Sequence, residues 1–188
     1  MGRWEPDARG RLRAAAIELF SERGFDQTTV ADIAERAGVT ERTFFRHFAD
    51  KREVLFEGSQ VLQATVIEAI ASAEPGTPPI ETVAAAMQAG AGLLQGNRDY
   101  SRLRATAIAA NPSLHERELL KLGRLAAAAA EALRDRGVAE PAASLAAQTG
   151  VTLFSVGFEK WLTDGAVDDF ALHIRESLAE LKALTGDA

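Results

Sequence analysis

Apolar residues recur at helical spacings from the first quarter of the chain to the last. Leu12, Ala16, Leu19 and Phe20 form a single stripe, and Gly24 stands where a helix would end, so a first helix is predicted from about Asp7 to Arg23. Thr29 with Asp32 three residues on has the form of a capping box. Val30, Ile33, Ala34 and Ala37 then make the inner face of a short second helix closed by Gly38. Thr40 caps a third, Glu41 to His47, with Phe44 and Phe48 pointing inward. Asp50 followed by Glu53 repeats the capping pattern and opens a long helix through Leu55, Leu62, Val66 and Ile70 to about Ala73. Beyond a loop over 74–79, helices are predicted near 80–95, 99–110, 113–136, 141–163 and 168–184. Ser113 with Glu116, Gly137, Pro141, Gly165 and Asp168 punctuate their ends. The expectation is an all-α chain of about nine helices.

Composition supports that reading: the 188 residues include 37 Ala and 20 Leu against 10 Val and 7 Ile, so β-branched residues are scarce. With no Cys, disulfides, thiolate metal sites and cysteine nucleophiles are excluded. The charged N-terminus has no apolar core of signal-peptide length behind it, and a cytoplasmic protein is expected. Pro141 to Phe158 carries no charge over 18 positions, but Ser144, Gln148, Thr149, Thr152 and Ser155 make it too polar to span a membrane well, and no membrane partner is expected. Net charge is −6, and residues 1–55 hold ten basic and ten acidic side chains, so the whole deficit lies in the remainder. Overall charge is therefore no argument for nucleic-acid binding, and the local pattern must supply one.

It does so in TTVADIAERAGVTERTFFRHF. Small Ala34 and Gly38, four apart and flanked by Ile33, Val39 and Phe44, let two short helices cross closely, as in a helix-turn-helix unit. The third helix then turns Thr40, Glu41, Arg42, Thr43, Phe45, Arg46 and His47 outward, a set unsuited to a core. Such a helix fits a major groove, its start and Thr hydroxyls meeting phosphates and Arg42 reading guanine O6 and N7, while Glu41 can accept from a cytosine amino group. Arg3, Arg9, Arg11 and Arg13 suggest a basic arm for the adjacent minor groove.

Residues 10–56 resemble the DNA-binding domain of the TetR family of bacterial transcriptional regulators. The resemblance rests on the AxELFxERGFxxTTVxxIAxxAGV pattern from Ala15 to Val39 and on TxRTFFRHFxDK, ending at Lys51. It implies a helix-turn-helix domain over 1–50 and a helical effector-binding and dimerisation domain over 51–188. By resemblance, Thr28 or Thr29 meets a phosphate, Thr40, Arg42 and Thr43 enter the groove, and His47 and Lys51 hold the DNA backbone. Phe45 stands where the family often has Tyr, which keeps packing against sugar or thymine methyl but removes a phosphate bond.

The predicted helix over 141–163 is apolar nearly all round. Leu145, Leu153 and Val156 on it, with Phe170, Ile174, Leu178 and Leu181 on the next, offer a four-helix seam to a second copy. The family resemblance likewise implies a homodimer on a palindromic DNA operator, and an effector cavity among helices four to eight. Its candidate lining is Leu62, Val66, Met87, Tyr100, Leu103, Thr106, His115, Leu119, Leu122, Phe154 and Phe158, with Arg102 and Arg104 as further polar contacts, for an apolar or amphipathic small molecule. The alternative is a C-terminal part that only dimerises or binds a protein partner. For an enzyme the chain offers little: HERE at His115 falls short of HExxH, and LFSVG lacks the first glycine of GxSxG. No cofactor or metal is expected.

Overall fold

The computed structural model describes residues 7–186 and, among them, contains helices and no strand. Nine α-helices follow one another: α1 Ala8–Arg23, α2 Val30–Arg36, α3 Glu41–His47, α4 Ser59–Ala71, α5 Pro79–Gly92, α6 Arg98–Ala109, α7 Pro112–Asp135, α8 Ala142–Thr163 and α9 Phe170–Thr185. Contacts divide the chain into two compact units, one of residues up to Glu57 with Arg102–Glu118, the other of Gly58–Ser101 with the residues from Leu119 on. The first therefore runs past the boundary drawn at residue 50 and takes in the end of α6 and the start of α7.

The single helix expected over 51–73 is instead a 3-10 turn, Glu53–Phe56, followed by α4. The Asp50 carboxylate caps that turn, accepting from the amides of Arg52 at 2.8 Å and Glu53 at 3.1 Å. Val54, Leu55 and Phe56 are all buried, and Gly58, a poor helix former, stands as the N-cap of α4 and separates the two elements.

In the second unit α4, α5, α8 and α9 enclose a core of Val66, Ile70, Val83, Met87, Phe154, Trp161 and Phe170, to which α7 adds Leu125 and Leu133. Trp161 stacks on Phe170, 5.2 Å between centroids and 12° between planes, and its Nε1 donates to Asp168. The assignment of Leu153, Phe170 and Ile174 to a seam between copies is corrected here: all three are buried in this core, because α9 lays its apolar stripe on α8 of its own chain. Leu178 and Leu181 are half-buried against the same core. Leu145 and Val156 remain 63% and 50% exposed.

The close approach of α9 to α8 depends on Gly157. A β-carbon there would stand 3.0 Å from the Ile174 amide nitrogen and 3.2 Å from the His173 carbonyl carbon, both backbone atoms that move only with the helix. Gly123 on α7 faces open space. Gly157→Val is expected to destabilise the second unit by about 1–3 kcal/mol through overpacking, whereas Gly123→Ala stabilises it by up to about 1 kcal/mol through helix propensity. Urea denaturation midpoints check the opposite signs.

Candidate nucleic-acid interface

The turn between α2 and α3 is closed by backbone geometry that requires a glycine. Gly38 has φ +68, its amide donates to Glu35 at 3.0 Å, and the Val39 amide donates to Ala34 at 2.9 Å, the paired bonds of a Schellman motif. Thr29 caps α2, accepting from the Asp32 amide, while the Asp32 carboxylate accepts from the Thr29 amide and hydroxyl at 2.8 and 2.7 Å. These bonds, the Thr29 hydroxyl first, hold the Asp32 carboxyl below its ordinary range. Arg36, near the other end of α2, forms a two-pronged bridge to Glu22 of α1, 2.9 Å on each prong, and reaches Glu18 at 3.3 Å. Hydrogen bonding to Arg36 lowers the Glu22 pKa and raises that of the guanidinium.

So held, α3 buries Phe44 completely and Phe48 almost so, with their rings 5.5 Å apart. Thr40 caps it by accepting from the Thr43 amide, and the two hydroxyls lie 3.1 Å apart. Glu41, Arg42 and Arg46 are exposed, and among the described residues neither Arg42 nor Arg46 makes a hydrogen bond or ion pair. Phe45 is 55% exposed, its ring edge-on to Phe44. Thr40 is exposed, Thr43 half-buried. One face of a seven-residue helix thus carries two unpaired guanidiniums, two hydroxyls, a carboxylate and a bare aromatic ring.

Other residues assigned to DNA are occupied inside the fold. Thr28 is fully buried, and its hydroxyl donates to Gly24 at 2.8 Å. Lys51 is half-buried, donates through Nζ to the carbonyls of Phe25 at 2.8 Å and Thr28 at 2.9 Å, and lies over the Phe25 ring at 4.2 Å. Its ammonium ties together two carbonyls of the α1–α2 loop, of which the Phe25 carbonyl also accepts from the Thr28 amide at 3.3 Å. The Nε2 of His47 is buried without a partner among the described residues, beside Phe48. Of the proposed basic arm, Arg11 donates to the Ala37 carbonyl at 3.1 Å, Arg9 and Arg13 pair with Glu57, and Arg3 lies outside the described residues. The signal missed in the sequence is that a cation near open loop carbonyls has a use without any ligand.

Five of the residues named for an effector cavity meet as packed core of the second unit. Val66, Met87 and Phe154 are buried in the core of the second unit, with Leu62 and Phe158 packed against it. Leu103 and Leu119 are 39% and 56% exposed, and Thr106 and His115 are exposed too. Arg104 is taken up by Glu118 and the Leu55 carbonyl. Tyr100 lines a polar recess of about 340 Å³ with Asn97 and Asp168. Leu122 alone of the set lines an open cleft of about 570 Å³ flanked by α7 and α8. No group of three or more His, Asp or Glu able to hold a metal occurs among the described residues, and none of their helices is long and apolar enough to cross a membrane.

Residues 12–57 match the profile described as "Bacterial regulatory proteins, tetR family". A stretch of 81 residues is 37% identical to the HTH-type transcriptional regulator TcmR of Streptomyces glaucescens, covering 43% of this chain and 36% of that one, so the chain spans about a third of that relative's length. Among solved structures, FadR of Thermus thermophilus, a TetR-family transcriptional repressor in complex with lauroyl-CoA, is 27% identical over 92% of each chain with TM-score 0.55. FadR of Bacillus subtilis, in complex with stearoyl-CoA, has 22% identity, coverage of 92% and 96%, TM-score 0.61, and shares the fold. Residues 12–57 thus carry the sequence likeness to the tetR family of bacterial regulatory proteins, and the likeness to the two FadR structures extends to the fold of the rest.

Lys51→Met removes the ammonium bonded to the Phe25 and Thr28 carbonyls and is expected to lower the stability of the first unit by about 1–3 kcal/mol, read as a lower denaturation midpoint. The Asp32 cap contributes stability above the ordinary carboxyl value of 3.8, and loses it as pH falls through the depressed folded value. The wild type should therefore lose more stability than Asp32→Asn on acidification from pH 6 to pH 3, as followed by thermal melts.

Proposed function

We propose that this protein is a DNA-binding transcriptional repressor. It binds a palindromic operator as a homodimer and is released by a small apolar or amphipathic effector. The observation that carries the reading is α3 itself, anchored by Phe44 and presenting Arg42, Arg46 and Phe45 with no internal use. Arg42 has the forked geometry for a guanine edge, Arg46 a charge for phosphate, and Phe45 an apolar face for sugar or a thymine methyl. Thr29, Thr40 and Thr43 add hydroxyls on the same helix pair. Two copies would present two such helices to successive major grooves, about 34 Å apart. Of the residues named for a seam, Leu145 and Val156 on α8 are the ones that stay exposed, which supports a contact with a second copy there. The lauroyl-CoA bound by the Thermus thermophilus neighbour supports an effector with a long apolar part.

Selection of bound DNA from a random pool tests binding, two-fold symmetry and half-site spacing together, and recovery of no shared sequence would overturn the reading. Arg42→Ala should cost about 1–3 kcal/mol of affinity for the selected site and relax one base preference, while Arg46→Ala should weaken all sequences alike and lower the salt slope by about one. Unchanged base preference in Arg42→Ala would remove that side chain from direct readout.

A further inference from the structure

In the first two turns of α1, arginine stands at every second position: Arg9, Arg11 and Arg13. With about 3.6 residues per turn, Arg9 and Arg13 share one side of the helix, while Arg11 lies across the buried stripe of Leu12, Ala16 and Leu19 from them. The cations therefore flank the buried face of α1 along both edges. Each edge meets a different end of α3.

Arg11, half-buried, donates through Nε to the Ala37 carbonyl at 3.1 Å. Ala37 closes α2, and Thr40, which caps α3, follows after Gly38 and Val39, so this bond holds the chain where it enters α3. A cation also suits the last carbonyls of a helix. On the other edge, the Arg9 guanidinium lies 5.6 Å from the centroid of the Phe48 ring, and Phe48 is the residue that ends α3. Arg9 and Arg13 pair with Glu57, which steadies that edge. Polar ties elsewhere in the unit fasten other parts: at the corner between α6 and α7, Asn111 donates to the Asp26 carboxylate at 3.1 and 3.2 Å, and Arg117 pairs with Glu53.

We propose that Arg9 and Arg11 are positioning residues for DNA recognition: α1 brackets α3 at its entry and its exit, and so fixes the angle at which Arg42 and Phe45 meet a duplex. Neither arginine contacts the DNA. The inference rests on the DNA-binding function proposed above. A seven-residue helix has little rigidity of its own, so its aim is set by what holds its ends. Losing a bracket widens the range of angles. Contacts that need register with base edges then weaken, while contacts from a mobile charge to phosphates persist.

The test measures the affinity of the full-length protein for the pool-selected duplex and for a scrambled duplex of equal length, over a salt series and below the melting temperature of every variant. Arg11→Met should weaken binding to the selected duplex at least about fivefold and to the scrambled one less than about twofold, with both salt slopes unchanged. Arg11→Gln removes the charge but keeps an N–H at the chain position of Nε, and should stay within about twofold of wild type. Arg9→Met should repeat the Arg11→Met pattern. A direct phosphate contact would instead lower the slope by about one and weaken both duplexes, in Arg11→Gln as in the Met variants. That result, or unchanged affinity for the selected duplex in the Met variants, overturns the bracket. Hydrogen exchange separates aim from general stability. In Arg11→Met the amides of Gly38 and Val39, which close the turn into α3, should exchange at least about fivefold faster, and the Gly24 amide at the far end of α1 less than about twofold faster. Equal acceleration at all three makes Arg11 a stabiliser of the whole unit and overturns the proposal. If the selection recovers no shared sequence, the repressor function falls, and the exchange rates still decide whether Arg11 holds the entry to α3.

Discussion

A helix of seven residues has too few internal hydrogen bonds to hold itself in water, and α3 exists only because its surroundings impose it. Phe44 is the constraint. Fully buried, it gives the helix its one deep apolar anchor, and the opposite face is released from any structural duty. Everything around it serves to fix how that face is aimed. Gly38 sets the direction of entry, Thr40 accepts from the free Thr43 amide, Arg11 ties off the end of α2 at Ala37, and Arg36 holds α2 to α1. A surface positioned so firmly, yet furnished with two unpaired guanidiniums and an exposed aromatic ring, has its hydrogen-bonding capacity in reserve.

Most of the helices were legible in the sequence because their ends carry chemistry. Thr29 with Asp32, Thr40 and Gly38 announce caps, and α3 begins and ends where its pattern places it. The 3-10 turn was not legible, since Val54, Leu55 and Phe56 read equally well as one turn of a longer apolar helix until a core exists to receive all three. Lys51 and Thr28 have an internal use that the motif does not reveal: a polar side chain in a binding motif looks like a ligand contact, and only coordinates show the carbonyls of the α1–α2 loop that it bonds. Arg42 and Arg46 make no hydrogen bond or ion pair among the described residues.

Periodicity likewise marks which side chains are buried without saying by what. Phe170, Ile174 and Leu153 satisfied the spacing of a seam between copies, and the chain covers them itself. The deciding residue is Gly157, which carries no hydrophobic signal and yet lets α9 come near enough to consume that stripe. On the other side of α8 no such approach occurs, and a cleft remains. Within the second unit α8 is thus close-packed on its α9 side and open along the cleft that it flanks with α7.

The corner around Asn111 has a consequence for anyone dividing this chain. Because Arg102–Glu118 is packed as part of the first unit, residue 57 is not a natural place to cut. A fragment ending there would bare Phe56, strand the Leu55 carbonyl, and take Arg117 from Glu53 and Asn111 from Asp26. A hybrid joining this N-terminal unit to another sensor would have to import the corner as well, so the interchangeable module is discontinuous in sequence although continuous in space.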